Sequence, residues 1–68
     1  MDYVITATYL DERKLQNIIV RGREPIALGI AFFLEHDRNI IEVNVYKIDE
    51  KNPMGVVIYK KNILEILK

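Results

Sequence analysis

Between Asn39 and Asp49 the chain alternates, with Ile41, Val43 and Val45 on one parity and Glu42, Asn44 and Tyr46 on the other. A two-residue period of this kind predicts a strand with one buried face. Tyr3 to Leu10 is rich in β-branched and aromatic residues and holds no breaker, which predicts another strand. Its faces carry Tyr3, Ile5, Ala7 and Tyr9 on one side, and Val4, Thr6, Thr8 and Leu10 on the other. The polar turn Asp11-Glu12-Arg13 leads into a strand over Leu15 to Arg21. The short spacing makes these two a hairpin, although the tight-turn Asn-Gly or Asp-Gly pair is missing. After a loop at Asp49-Glu50-Lys51-Asn52-Pro53, Met54 to Lys60 reads as a further strand, with Gly55 as the expected bulge.

The segment from Pro25 to His36 breaks this rhythm. It is apolar almost throughout, which suits either a buried strand or a helix. Its length, its small residues Ala27, Gly29 and Ala31, and a proline placed for a first helical turn select the helix. Gly22 ends the preceding strand, and Glu24 is the expected cap: a weak cap residue, but a favourable charge at the positive helix end. Beyond the last strand, Asn62 stands three positions before Glu65, the spacing of a capping box, and predicts a short C-terminal helix. The order is β-β-α-β-β with that helical turn appended. The expected fold class is α+β: a single domain over residues 1–68, with a four-stranded sheet and the central helix packed on one face.

At 100° per residue, Ile26, Ile30, Phe33 and Leu34 form one stripe of the central helix, and this stripe is expected to face the sheet. Leu28 and Phe32 then project outward, with Ala27 and Ala31 on one flank, Gly29 on the other and Glu35 at the rim. Large apolar groups on an outer face call for a cover. Either the C-terminal segment, with Ile63, Leu64, Ile66 and Leu67, folds back over them, or a second chain does. A symmetric homodimer through Leu28, Ala31, Phe32 and Glu35 is the interaction site this pattern predicts.

Composition sharpens the need for support. A chain of 68 residues buries only about 60% of the surface it exposes when unfolded, so its stability margin is thin. There is no cysteine, so neither disulfides nor a thiolate zinc site can reinforce it, and His36 is the one histidine. No metal and no cofactor is expected. The cysteine-free chain fits the cytoplasm. Its N-terminus lacks the basic and apolar regions of a signal peptide. The longest apolar run, Ile26 to Leu34, falls well short of the roughly 20 residues that cross a bilayer, so no membrane partner is expected. An isoleucine-rich, alanine-poor composition without serine resembles that of an AT-rich bacterial genome or its phage.

The chemical inventory is sparse. With no Ser and no Cys, Thr6 and Thr8 are the aliphatic hydroxyls, and strand alternation already explains both. His36 lies in Glu35-His36-Asp37 at the helix end. There it is either a base beside carboxylates or, as the blander and favoured reading, a solvated charge complementing the helix dipole. The acid pairs Asp11-Glu12 and Asp49-Glu50 sit in turns, where turn chemistry accounts for them better than paired-carboxylate hydrolysis does. Tyr46 and Tyr59 are read as cross-strand cover rather than interface anchors. Ten basic and ten acidic residues cancel, whereas nucleic-acid binding generally needs a cationic surface. Weak nucleic-acid binding through Arg21, Arg23, Lys60 and Lys61 is the alternative function. Against it, antiparallel return of the helix sends the two basic doublets to opposite rims of the sheet, each beside acids. The reading the sequence favours is a non-enzymatic protein–protein interaction domain: an adaptor, regulator or inhibitor, of bacterial, phage or mobile-element origin.

Overall fold

A computed structural model of the chain describes residues 2–62. The elements are β1 (Asp2–Tyr9), β2 (Ile18–Arg21), α1 (Glu24–Glu35), β3 (Ile40–Ile48) and β4 (Val56–Asn62). They form a four-stranded sheet in the order β2-β1-β3-β4, antiparallel at every neighbouring pair, with α1 lying chiefly over β1 and β3. The α+β class and the β-β-α-β-β order are those the residue pattern predicts. The short C-terminal helix predicted beyond Asn62 lies outside the described residues. Among the described residues, no helix is long and apolar enough to cross a membrane.

Strand alternation sorts the two sheet faces. Tyr3, Ile5 and Ala7 of β1 meet Val20 of β2 and Val43 and Val45 of β3 on the covered side, and Ile40 and the helical Ala27 and Ala31 complete the buried core. Polar β1 positions such as Thr6 and Thr8 fall on the open side. The strand ends depart from expectation in two places. Ile5 pairs with Ile18 and Thr8 with Lys14, so the register slips by one residue; Leu15 keeps one bond, from its N–H to the Ala7 carbonyl, while Gln16 and Asn17 leave the ladder. This shortens β2 from the predicted Leu15–Arg21. The bulge predicted at Gly55 instead falls at Ile58, where Val45 pairs with Tyr59 but Tyr46 pairs with Val57. Gly55 belongs to the preceding turn with φ near +90°, a conformation that favours glycine. A side chain there would also stand 3.4 Å from the Tyr46 Cβ.

The predicted polar turns form as such. Asp11 Oδ1 accepts from the Arg13 N–H, while Asp49 Oδ1 accepts from the N–H groups of Lys51 and Asn52. Each short acid side chain replaces a missing backbone partner at its turn. At the helix start, Arg23 rather than Glu24 occupies the cap position and makes no side-chain cap bond. Glu24 is already in the first turn, with Pro25 beside it, so its charge still meets the positive end of the helix.

The face of α1 is the main correction. Ala27 and Ala31 point straight at the sheet and are fully buried, flanked by the partly buried Leu28, Ile30 and Leu34. Ile26 and Phe33, expected inside, are exposed, Phe33 to 77%. The reason is volume. The sheet already fills the layer with Tyr3, Ile5, Val43 and Val45, so a close-packed core leaves room for small residues on the helix side. Ala31 thus belongs to the core, and Leu28 to its margin, rather than to an outer face.

Candidate interaction surfaces

Glu35 sits in the last turn of α1, on the side that leans toward β4. Its side chain is 13% exposed, and it is engaged twice. The Tyr59 hydroxyl donates to Oε1, and the Lys61 ammonium donates to Oε2 at 3.3 Å. Tyr59 and Lys61 share the covered face of β4, because the register sets them opposite Val45 and Val43. Burial first, then the hydrogen bond and the charge of Glu35, push the Tyr59 hydroxyl up to about 12. Glu35 therefore faces the sheet instead of rimming an outer patch. Phe32 packs edge-on against the Tyr59 ring, with centroids 5.4 Å apart and planes at 83°, while keeping 47% of its surface exposed. Such pairs contribute roughly 0.5–1.5 kcal/mol beyond burial. Tyr59 is thus a tie between β4 and the helix.

Of the four predicted interaction residues, Phe32 alone keeps a substantial outward surface. The exposed apolar side of α1 consists of Ile26, Phe32 and Phe33. Gly29 lies between Phe33 and Phe32 in angle, one turn beyond Ile26 along the axis, and a Cβ built on it meets nothing within 4 Å. Periodicity alone assigns Ile26 and Phe33 to the core, because apolar residues surround the helix axis.

The open face of the sheet is the second surface. Cross-strand neighbours share a face, so the register draws one apolar row over all four strands: Ile19 opposite Val4, Val4 opposite Tyr46, Tyr46 opposite Val57. Ile19 is 64% exposed and Val57 about half. The next row sets Thr6 opposite Asn44 and Asn44 opposite Lys60. The row after it runs from Lys14 through Thr8 and Glu42 to Asn62. Asn44 lies low in this face: its amide donates to Glu42 Oε1 at 2.9 Å and to Thr6 Oγ1 at 3.4 Å, and Asn62 donates to Glu42 Oε2 at 3.0 Å. Two shallow hollows of about 270 and 290 Å³ share Thr6, Asn17 and Tyr46 in their walls. No single-strand reading reveals the apolar row, because its members come from four segments.

The basic doublets are separated as the topology predicted. Arg21 stands at the rim of Asp2, 4.0 Å from its carboxylate. Arg23 is exposed at the start of α1, and Lys60 is exposed on the open face. Lys61 is held by Glu35 on the covered face. A cavity of about 350 Å³ at the β1–β2 turn is lined by Tyr9, Leu10, Asp11, Arg13 and Asn39. Its two charges bind each other at 2.7 Å, and the Arg13 backbone N–H and guanidinium hold Asp11 below the usual carboxylate range. His36 is exposed. Neither neighbouring carboxylate faces it as a partner, since Glu35 engages β4 and Asp37 Oδ1 accepts from the Asn39 N–H at 2.8 Å. The comparisons with known proteins give no relative: no family model, no curated protein and no solved structure matches this chain.

Proposed function

We propose that this chain is a protein–protein interaction domain, an adaptor, regulator or inhibitor, that docks a partner on the outer face of α1. The observation that carries the reading is the exposure of Ile26, Phe32 and Phe33 on one side of a twelve-residue helix. Burying what remains exposed of Ile26 and Phe33 contributes on the order of 1–2 kcal/mol each. The bare backbone at Gly29 lets a partner side chain approach between Phe33 and Phe32. Balanced charge favours this reading over nucleic-acid binding, as does the placement of Arg21 and Lys61 against acids at opposite rims. A cytoplasmic setting and a bacterial or phage source fit the cysteine-free, isoleucine-rich composition.

The test is affinity capture from extract of the native cell, using wild type and Phe33→Glu side by side, followed by reconstitution with the purified partner. Phe33 is on the surface, so the variant should keep the wild-type circular dichroism spectrum and lose the partner by tenfold or more. A partner held equally by both proteins would count against the α1 face. Salt-sensitive binding to labelled duplex or single strands, reduced by Arg21→Ala and Arg23→Ala, would move the function to nucleic acid.

A further inference from the structure

The outer face of α1 leaves the opposite side of the molecule unexplained. There the row Ile19–Val4–Tyr46–Val57 crosses the entire sheet, and among the described residues no layer lies over it. We propose that this open face is a self-docking surface, on which a second copy of the chain seats about a two-fold axis running parallel to the strands between β1 and β3. The proposal rests on the protein-interaction reading and assigns it a second surface.

The register argues for a second copy as the occupant. Rotation about that axis exchanges β1 with β3 and β2 with β4 while leaving every cross-strand row at its own height. The apolar row then stacks on itself, with Val4 over Tyr46 of the second copy and Ile19 over Val57. The smaller Val4 faces the bulky ring, and the larger Ile19 faces the smaller Val57, so volumes complement at each step. The Thr6–Asn44 row also meets itself, hydrogen-bonding group against hydrogen-bonding group. In the Lys14–Thr8–Glu42–Asn62 row, the second copy's Glu42 comes over Thr8, one strand away from Lys14, so opposite charges approach. The other in-plane two-fold, perpendicular to the strands, would instead set Asn44 of one copy against Ile48 of the other, an amide against an apolar side chain. Face-to-face sheets pack about 10 Å apart with strands crossing near 30°, which the twist of each sheet accommodates.

The area is that of a weak interface. The strands are eight, four, nine and seven residues long, so at about 3.4 Å per residue and about 4.8 Å between strands the sheet presents roughly 450 Å² per copy. Closure therefore hides about 900 Å² in total, in the range of weak, transient contacts. This predicts a weak, concentration-dependent dimer rather than an obligate one.

Sedimentation equilibrium from micromolar to millimolar concentration reads the assembly. The wild type should dimerise within this range, and Ile19→Glu should weaken dimerisation tenfold or more, as should Val57→Lys. The double variant Ile19→Glu/Val57→Lys should recover dimerisation, because only this two-fold brings the two positions together across the interface. Thermal unfolding confirms that each variant folds, and Ile19→Thr and Val57→Thr serve as strand-compatible substitutes where one does not. A wild type that stays monomeric to millimolar concentration overturns the proposal. So does a dimer indifferent to Ile19→Glu and Ile19→Thr, or one that Phe33→Glu dissociates. Phe33→Glu is expected to leave the dimer intact while it abolishes partner capture, so failure of one surface is distinguishable from failure of the other.

Discussion

Tyr59, half-buried, carries its hydroxyl against the Glu35 carboxylate, which is largely withdrawn from water. The consequence is a stability that depends on alkaline pH. Folding raises the hydroxyl from 10 to about 12, by burial and by the adjacent carboxylate, so the folded state favours the protonated ring. The stabilisation is fully present below pH 10 and is lost as pH rises toward 12. It amounts to roughly 1–2 kcal/mol once partial solvent exposure of the ring is allowed for. Denaturant midpoints of wild type and Tyr59→Phe should therefore differ at pH 9 and converge by pH 12. A constant difference across that range would show that the tie does not depend on the protonated hydroxyl. Nothing in the local sequence announces this contact. Tyr59 and Glu35 are 24 positions apart, and the bulge at Ile58 decides which side of β4 the tyrosine takes.

Among the elements, α1 shows where a one-dimensional pattern loses its grip. Its existence, length and flanking proline are legible, but its orientation is not, because apolar residues surround the axis and periodicity has no polar side to exclude. Two alanines fix the answer by size. Ala31→Leu should then destabilise the protein by about 1–3 kcal/mol through overpacking of the buried core to which Ala31 belongs, whereas Phe33→Ala should stay within about 0.5 kcal/mol as a surface change. Chemical denaturation of the two variants checks this, and the opposite ranking would return Phe33 to the core. The strands carry a clearer signal. β1 and β3 alternate cleanly because each has one covered and one open face. The early end of the β2 ladder and the displaced bulge in β4 depend on cross-strand register, which no single segment encodes.

At the scale of the whole molecule, the separation of the basic doublets followed from connectivity alone, whereas the apolar row on the open face required all three strand pairings. The sheet order has one further consequence, for how the chain folds. β1–β2 and β3–β4 are local hairpins, but the central pairing of β1 with β3 joins residues between 31 positions apart (Tyr9 and Ile40) and 46 apart (Asp2 and Ile48). Closing that span costs chain entropy before any packing offsets it. The rate-limiting event is then the zipping of two preformed ribbons along their shared seam, with α1 drawn over it. Conservative truncations at the seam, Ile5→Val and Val45→Ala, should slow refolding in proportion to the stability they remove. Val56→Ala, far out on the second ribbon, should chiefly speed unfolding. Stopped-flow chevrons would show this split, and equal effects on both arms at all three sites would mean that the ribbons do not form ahead of the seam.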